Sequence, residues 1–242
     1  MTYDYKEGKK RVLEILNNKL KIEKNNKIPD ESNFTYENSY YGWVSAIFVD
    51  IRDSTTLFTK YDKVTVSKII RSFTSEIIEI LRPYDNLREI GIRGDCVYAI
   101  YTTPFIKDIY NLYIMTVYIN TYMNMLNSLL KLKDFPEIKA GIALSTAQEL
   151  VVKAGRKGSG INNLVWIGNA VTSAANFSSL ANKNSNEPLI FSECAYNSFS
   201  KDERFKNNKP TWFKQKSSDY GTYYTACLSI TDYNNWIKQG MK

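Results

Sequence analysis

Residues 43–55, WVSAIFVDIRDST, contain the stretch that decides the fold. Residues 44–49 have the length and the β-branched character of a buried strand, and this run ends on Asp50. The loop that follows opens into helical spacing, so the pattern predicts a strand, an acidic loop and then a helix. Residues 64–81 carry apolar side chains on one helical face, and Pro83 ends this long helix.

Two short apolar segments follow the helix, at residues 87–93 and 96–102. They are joined by Gly94 and Asp95, a dipeptide that strongly favours tight turns between strands. The pattern predicts a hairpin with an acidic residue at its tip.

The remaining pattern completes a recognisable order of elements. We predict a second helix at about 107–132, a strand at 138–146, a Gly- and Lys-rich loop at 155–163 and a helix at about 168–181. The resulting order, βαββαβ, is that of ferredoxin-like α+β folds, whose antiparallel sheet carries helices on one face. Residues 188–242 are expected to add closing strands to this sheet.

An N-terminal extension precedes this core. Residues 8–24 have apolar side chains at the spacing of an amphipathic helix, and the polar segment at 25–42 interrupts that spacing. We therefore expect a helical extension at 1–42, a main domain at 43–232 and a C-terminal tail at 233–242.

Residue usage excludes several classes of chemistry. The chain has no histidine, which removes Ser-His and Cys-His triads, histidine general bases and most zinc sites. Its 3 cysteines are too few, odd in number and too scattered for a disulfide framework or a zinc cluster. Catalysis must therefore depend on carboxylates, Lys, Arg, Tyr, hydroxyl groups or metals bound by oxygen.

The formal net charge of +7 favours a polyanionic partner such as nucleic acid, an acidic membrane surface or a nucleoside triphosphate. The basic residues are interspersed with acidic ones along the chain, which does not favour a dedicated nucleic-acid site. No window approaches the roughly 18 apolar residues of a membrane span, and the N-terminus lacks the apolar segment of a signal peptide. We expect a cytoplasmic protein that binds neither membranes nor nucleic acid.

Asp50 and Asp95 are expected to meet at one edge of the sheet, because the first strand and the hairpin lie side by side in this fold. Carboxylate oxygens there suit Mg²⁺ or Mn²⁺. Two such ions about 3.5 to 4 Å apart activate an attacking hydroxyl and neutralise phosphate charge during in-line displacement. Each acid alone also has an ordinary explanation, as a strand-end residue or a turn former.

The loop after Asp50 is a candidate triphosphate site formed by Arg52, Asp53, Ser54 and Thr55. It offers backbone N–H groups and two hydroxyls at a helix N-terminus, where anions are favoured. The alternative is that Ser54 only caps the helix.

Three segments resemble, in order and spacing, the catalytic domain of class III adenylyl and guanylyl cyclases: FVDIRDST at 48–55, RGDCVYAIY at 93–101 and WIGNAVTSAANFSSLA at 166–181. The resemblance covers roughly residues 43–228. In that family the two acids and the carbonyl after the first acid bind two metal ions, and the substrate's 3′-hydroxyl attacks its own α-phosphate.

The resemblance implies these metal-binding roles for Asp50, Ile51 and Asp95, with two Mn²⁺ or Mg²⁺ ions per site. Asp50 and Asp95 are thereby the implied catalytic residues. It also implies a nucleoside triphosphate substrate and a homodimer with the active sites between head-to-tail subunits.

The positions that read a purine base in that family differ here. Gly91 replaces the usual Lys or Glu, and Val165 has no side-chain hydrogen-bonding group. Bulky Trp166 follows, so the pocket should prefer a smaller base. Arg93 is a further candidate for a base or phosphate contact, with a structural ion pair as the alternative.

The segment VKAGRKGSGINNLVWIG at 152–168 is similar to the bacterial pyrimidine cyclases of Pycsar anti-phage systems, which make cyclic UMP or cyclic CMP and thereby activate a separate effector. The resemblance implies conversion of UTP to 3′,5′-cyclic UMP, with CTP as the next substrate.

The family's transition-state Asn and Arg align with Thr172 and Asn176, so the charge aimed at the pentacovalent phosphate is missing. Lys157, Lys214 and Lys216 are candidate replacements. This departure favours one alternative, a degenerate cyclase domain that binds a nucleotide and signals through partners. An adenylate cyclase with other purine contacts and a nucleic-acid module are the further alternatives.

Overall fold

Nine strands form one mixed sheet in the computed structural model, which describes residues 2–156, 158, 160–206 and 212–242. The strands are β1 (Lys21–Lys24), β2 (Asn38–Ile51), β3 (Leu87–Arg93), β4 (Cys96–Thr102), β5 (Ala140–Gly155), β6 (Asn162–Ile167), β7 (Leu189–Ser192), β8 (Lys214–Ser218) and β9 (Gly221–Ala226). The helices are α1 (Tyr5–Asn17), α2 (Ser54–Lys60), α3 (Lys63–Leu81), α4 (Ile106–Lys131), α5 (Asn169–Leu180), α6 (Glu193–Phe199), α7 (Glu203–Lys206) and α8 (Thr231–Lys238). A short 3₁₀ turn lies at Glu31–Asn33.

The strand order is β3-β4-β2-β5-β7-β9-β8, with β1 paired to β2 and β6 paired to β5. The long strand β2 lies between β4 and β5 and is antiparallel to both. The elements β2, α3, β3, β4, α4 and β5 follow one another along the chain, which confirms the predicted α+β fold with a βαββαβ core.

Alternate residues of each strand point to opposite faces of the sheet. Each face is covered by helices and has its own apolar cluster. Towards α3 and α4, β4 contributes Val97, Ala99 and Tyr101 to the main core, which also contains Phe73 and Leu112. The opposite face packs against α5 through a smaller apolar cluster. That cluster includes Ala46, Ile100, Ala170 and Ala174.

The N-terminal extension differs in part from the prediction. The amphipathic helix is confirmed only for its first part, because α1 ends at Asn17 and Lys21–Lys24 form a strand. These four residues pair in parallel with residues 38–41 of β2, and that long-range pairing overrides the local helical spacing. The apolar side chains of α1, such as Leu16, are exposed.

Other boundaries also shift. The strand predicted at 138–146 begins at Ala140 and continues to Gly155, where it pairs with β6. The boundary expected at residue 42 falls within β2, and the boundary expected at residue 232 falls within α8. The three-part organisation of the chain stays a prediction. Among the described residues, no helix has the length and apolarity needed to cross a bilayer.

Candidate active site

Asp50 is the penultimate residue of the central strand β2, where it pairs with Cys96 of β4 and with Gly141 of β5. Its side chain is 25% exposed. Burial raises the pKa of the Asp50 carboxyl, Arg52 lowers it, and the negative charge of Asp95 raises it further. Asp50 and Asp95 therefore lie close enough to interact electrostatically.

Asp95 occupies the tip of the β3–β4 hairpin, next to the Cys96 that pairs with Asp50. The tight turn at Gly94-Asp95 thus brings the second acid to the sheet edge where β2 ends, as predicted. Burial and the nearby carboxylates raise the pKa of the Cys96 thiol to about 12. Cys96 consequently stays protonated near neutral pH.

Arg52 is turned inward, and its expected contact with the triphosphate stays a prediction. It is only 6% exposed. Its Nη2 forms an ion pair with the Asp50 carboxylate, and Nε and Nη2 donate to the Asp50 carbonyl at 3.3 and 3.2 Å. Its Nη1 donates to the Ser179 carbonyl of α5 at 2.8 Å. The guanidinium therefore joins Asp50 to the end of α5 and has its donors engaged within the protein.

The other residues of the expected triphosphate site lie at the surface beside Asp50. Asp53 is exposed and has a left-handed backbone with φ of 55°. Ser54 and Thr55 begin α2, and no side chain caps this helix. Their triphosphate contact stays a prediction, and the position is open to a ligand.

The donor set fits hard divalent cations. The structure brings together the carboxylates of Asp50 and Asp95 next to the backbone of Ile51. Within the described residues, no group of three or more His, Cys, Asp and Glu side chains forms a metal cluster. The two carboxylates suit Mg²⁺ or Mn²⁺, which proteins commonly hold through one or two carboxylates together with substrate phosphates. The assignment of Ile51 as a ligand stays a prediction.

Tyr98 fills the space above Gly91, a contact that sequence reasoning missed. The two residues are cross-strand partners, and a Cβ at position 91 would lie 2.7 to 2.9 Å from the end of the Tyr98 ring. The Tyr98 hydroxyl donates to Glu89 Oε1 at 2.7 Å, and its ring stacks on Phe48. A side chain at position 91 is thus excluded unless the tyrosine moves.

Trp166 donates a hydrogen bond to the Glu89 carboxylate that also binds Tyr98. Its Nε1 donates to Glu89 Oε2 at 2.7 Å, so Glu89 holds the ends of two aromatic side chains. Burial and this carboxylate raise the pKa of Tyr98 to about 12, which keeps its hydroxyl a donor. Val165 lies on the opposite face of β6 from Trp166 and is 41% exposed. Arg93 is exposed at the end of β3.

Two curated relatives are similar to this chain over nearly its whole length. A uridylate cyclase from Treponema porcinum is 55% identical over 242 residues, which are 100% of this chain and 83% of that protein. A uridylate cyclase from Gulbenkiania mobilis is 30% identical over 254 residues, covering 98% of this chain and 97% of that protein. This chain belongs to the uridylate cyclase family.

The solved structures agree in fold. The crystal structure of an adenylyl cyclase from P. aeruginosa matches with a TM-score of 0.64 and 17% identity, covering 80% of this chain and 98% of that one. No protein-family model matches the chain. The resemblance to class III nucleotidyl cyclases is confirmed, and the chain is a nucleotidyl cyclase.

Glu149 fixes the start of α5 in this cyclase, and sequence reasoning missed it as well. Its side chain is fully buried, and Oε1 accepts hydrogen bonds from the backbone N–H groups of Ala170 at 2.6 Å and Val171 at 3.2 Å. Oε2 has no partner among the described residues. Burial raises the pKa of the Glu149 carboxyl, although the hydrogen bonds from the two N–H groups lower it in part.

The transition-state positions Thr172 and Asn176 lie one turn apart on α5. Thr172 is exposed, and its hydroxyl donates to the Gly168 carbonyl at 3.2 Å. Neither side chain carries a charge, so the structure leaves their catalytic assignment a prediction. The helix that carries them is held at its start by Glu149 and at its end by Arg52.

Two of the three lysines considered as replacements have partners within the described residues. Lys214 pairs with Glu187 at 3.1 Å. Lys216 donates to Ser185 and Asn186. Lys157 lies outside the described residues.

Proposed function

We propose that this chain converts UTP to 3′,5′-cyclic UMP and pyrophosphate. Both curated relatives carry the name uridylate cyclase, which supports the choice of base. The observation that carries it in this molecule is the ring of Tyr98 over Gly91, at the position where the resemblance implies a purine-reading side chain. A pocket that has lost this group and gained aromatic bulk favours a pyrimidine.

The reaction joins the 3′-oxygen of the substrate to its α-phosphorus and breaks the bond from that phosphorus to the bridging oxygen. The 3′-hydroxyl loses its proton, and pyrophosphate leaves. Two Mn²⁺ or Mg²⁺ ions would supply hydroxyl activation and charge neutralisation when bound. Asp50 and Asp95 would hold them, with the Ile51 carbonyl as a further ligand.

Each remaining residue has a defined task in this proposal. Arg52 orients the Asp50 carboxylate, because it bonds to both the side chain and the carbonyl of that residue. Ser54 and Thr55 offer hydroxyl groups to the triphosphate. Tyr98 and Trp166, held by Glu89, limit the size of the base.

We further propose a cytoplasmic homodimer whose product acts as a second messenger on a separate effector protein in anti-phage defence. The similarity of residues 152–168 to Pycsar cyclases supports this role. The dimer is supported by the family's arrangement, in which one subunit supplies the metal-binding acids and its partner supplies the α5 positions.

The test is to incubate the purified protein with ATP, GTP, CTP or UTP and Mn²⁺ and to identify the products by mass spectrometry. We expect cyclic UMP from the wild type, and its loss in Asp50→Ala and Asp95→Ala. The matched control is Asp85→Ala. Asp85 is exposed and precedes β3 at the opposite end of the sheet. Cyclic CMP alone would overturn the choice of base, and no cyclic product from any nucleotide would overturn the proposal.

A further inference from the structure

The triphosphate of the substrate needs a cation on the protein, and the expected one is engaged elsewhere. Arg52 is committed to Asp50 and to Ser179. Lys214 and Lys216 bind residues of the 185–187 segment. The segment between α5 and β7, however, carries a lysine that no earlier argument used, Lys183.

A tight turn built by asparagines holds Lys183 at the site's edge. Asn182 and Asn184, on either side of it, have left-handed backbones with φ of 56° and 53°. Asparagine adopts this conformation far more readily than most residues. The Asn182 side chain donates to the Ala140 carbonyl at 3.1 Å, and Ala140 is the cross-strand partner of Ile51. The turn is therefore anchored to the strand that borders the end of β2.

The end of α5 presses directly on this strand. A Cβ at Gly141 would clash with the Ser178 carbonyl and would lie 2.9 Å from the Ala181 carbonyl. Gly141 is itself the cross-strand partner of Asp50. Since neighbouring strands are about 4.8 Å apart, the backbone just before Lys183 lies close to Asp50.

The side chain of Lys183 is exposed on this anchored turn and is accessible to a ligand. Within the described residues, the Lys183 ammonium makes no hydrogen bond or ion pair. It is thus an exposed cation on an anchored turn beside the sheet edge that carries Asp50.

We propose that Lys183 is a substrate-binding residue whose ammonium contacts the triphosphate. This inference depends on the proposed function, because it assigns a further residue to the same site. A lysine provides a compact charge suited to phosphate oxygens, and it lies across Asp50 from the hairpin that carries Asp95. The charge of two divalent ions would be shared between the triphosphate and the two aspartates, so negative charge would remain, and Lys183 would neutralise part of it.

The test compares Lys183→Gln and Lys183→Arg with the wild type and with a matched control, Lys107→Gln. Lys107 is exposed, lies over the Phe105 ring and belongs to the first turn of α4, beyond the end of β4 that is remote from Asp50. Lys183→Gln should lower kcat/KM for UTP at least about tenfold, because a charge-assisted contact is lost. Lys183→Arg should recover most of it, and Lys107→Gln should change nothing.

A binding measurement separates this role from a structural one. The analogue 3′-deoxy-UTP lacks the attacking hydroxyl, so calorimetry with Mn²⁺ reports affinity alone. Lys183→Gln should weaken its binding at least about tenfold while the melting temperature stays that of the wild type. An unchanged affinity and an unchanged kcat/KM would overturn the inference. A wild type that binds the analogue yet makes no cyclic UMP would refute the proposed function alone.

Discussion

Replacing Arg52 with alanine should destabilise the protein strongly, because this side chain links Asp50 to α5. Arg52 is 6% exposed and donates to Ser179 at 2.8 Å and to the Asp50 carbonyl at 3.2 and 3.3 Å, besides its ion pair with the Asp50 carboxylate. Removing one partner of a buried ion pair costs about 3 to 5 kcal/mol. The Asp50 side chain is 25% exposed, so water replaces part of the pairing. We therefore expect the low end, a loss of about 3 kcal/mol in the free energy of unfolding.

Urea denaturation measures this loss in the free energy of unfolding. The wild type is compared with Arg52→Ala and with a control, Arg82→Ala. The control is suitable because Arg82 pairs with Glu79 at the surface, where the two side chains are 61% and 49% exposed. Exposed pairs of this kind contribute about 0 to 1 kcal/mol. The slopes of the unfolding free energy against urea should agree, which shows that the variants differ in stability alone. A loss in Arg52→Ala no larger than in Arg82→Ala would refute the buried link.

Three further predictions concern the pH response, the base and the metal. Burial raises the pKa of Glu149 above its ordinary value of 4.5. At a pH between that value and the raised pKa, Glu149 is ionised in the unfolded chain and keeps its proton in the folded protein. The free energy of unfolding of the wild type should then fall with rising pH from about 4.5 until the raised pKa is passed, relative to Glu149→Gln, in urea titrations across pH 5 to 8. A parallel response of the two proteins would contradict this. Tyr98→Ala removes the ring above Gly91. When ATP and UTP compete, the turnover of ATP relative to UTP should rise about tenfold. An unchanged ratio would show that Tyr98 does not limit the size of the base. Mn²⁺ at about a hundred times its dissociation constant should stabilise the wild type by about 2.7 kcal/mol in thermal unfolding, and the same gain in Asp95→Asn would remove Asp95 as a ligand.

The sequence predicts most of the core because its signals are local. The apolar run before Asp50, the helical spacing at 64–81 and the Gly94-Asp95 turn each depend on neighbouring residues, and each corresponds to an element of the structure. Their order along the chain then places the two acids at one edge of the sheet. The order βαββαβ permits few arrangements, which is why the fold class follows from it.

The contacts that were missed depend on residues distant in sequence. The strand at Lys21–Lys24 forms by pairing with β2, and no local pattern distinguishes it from the end of a helix. Tyr98 covers Gly91 only in the register that the hairpin adopts. The inward turn of Arg52 depends on a carbonyl 127 positions further along the chain.

Glu149 illustrates the same limit on the functional side. In the sequence it is one acid in an apolar strand, and nothing nearby shows that its carboxylate accepts from the start of α5. The role of such a residue can be recognised only when the positions of the helix and the strand relative to each other are known. The site's supporting contacts are therefore less predictable than its reactive acids.

The most direct test of the central claim is a competition in one tube. The wild-type protein is given equimolar ATP, GTP, CTP and UTP with Mn²⁺, and the initial rates of all four cyclic products are measured by mass spectrometry. The account predicts that cyclic UMP forms fastest and that every product disappears in Asp50→Ala. A cyclic purine nucleotide as the main product would contradict it, as would products that persist without Asp50.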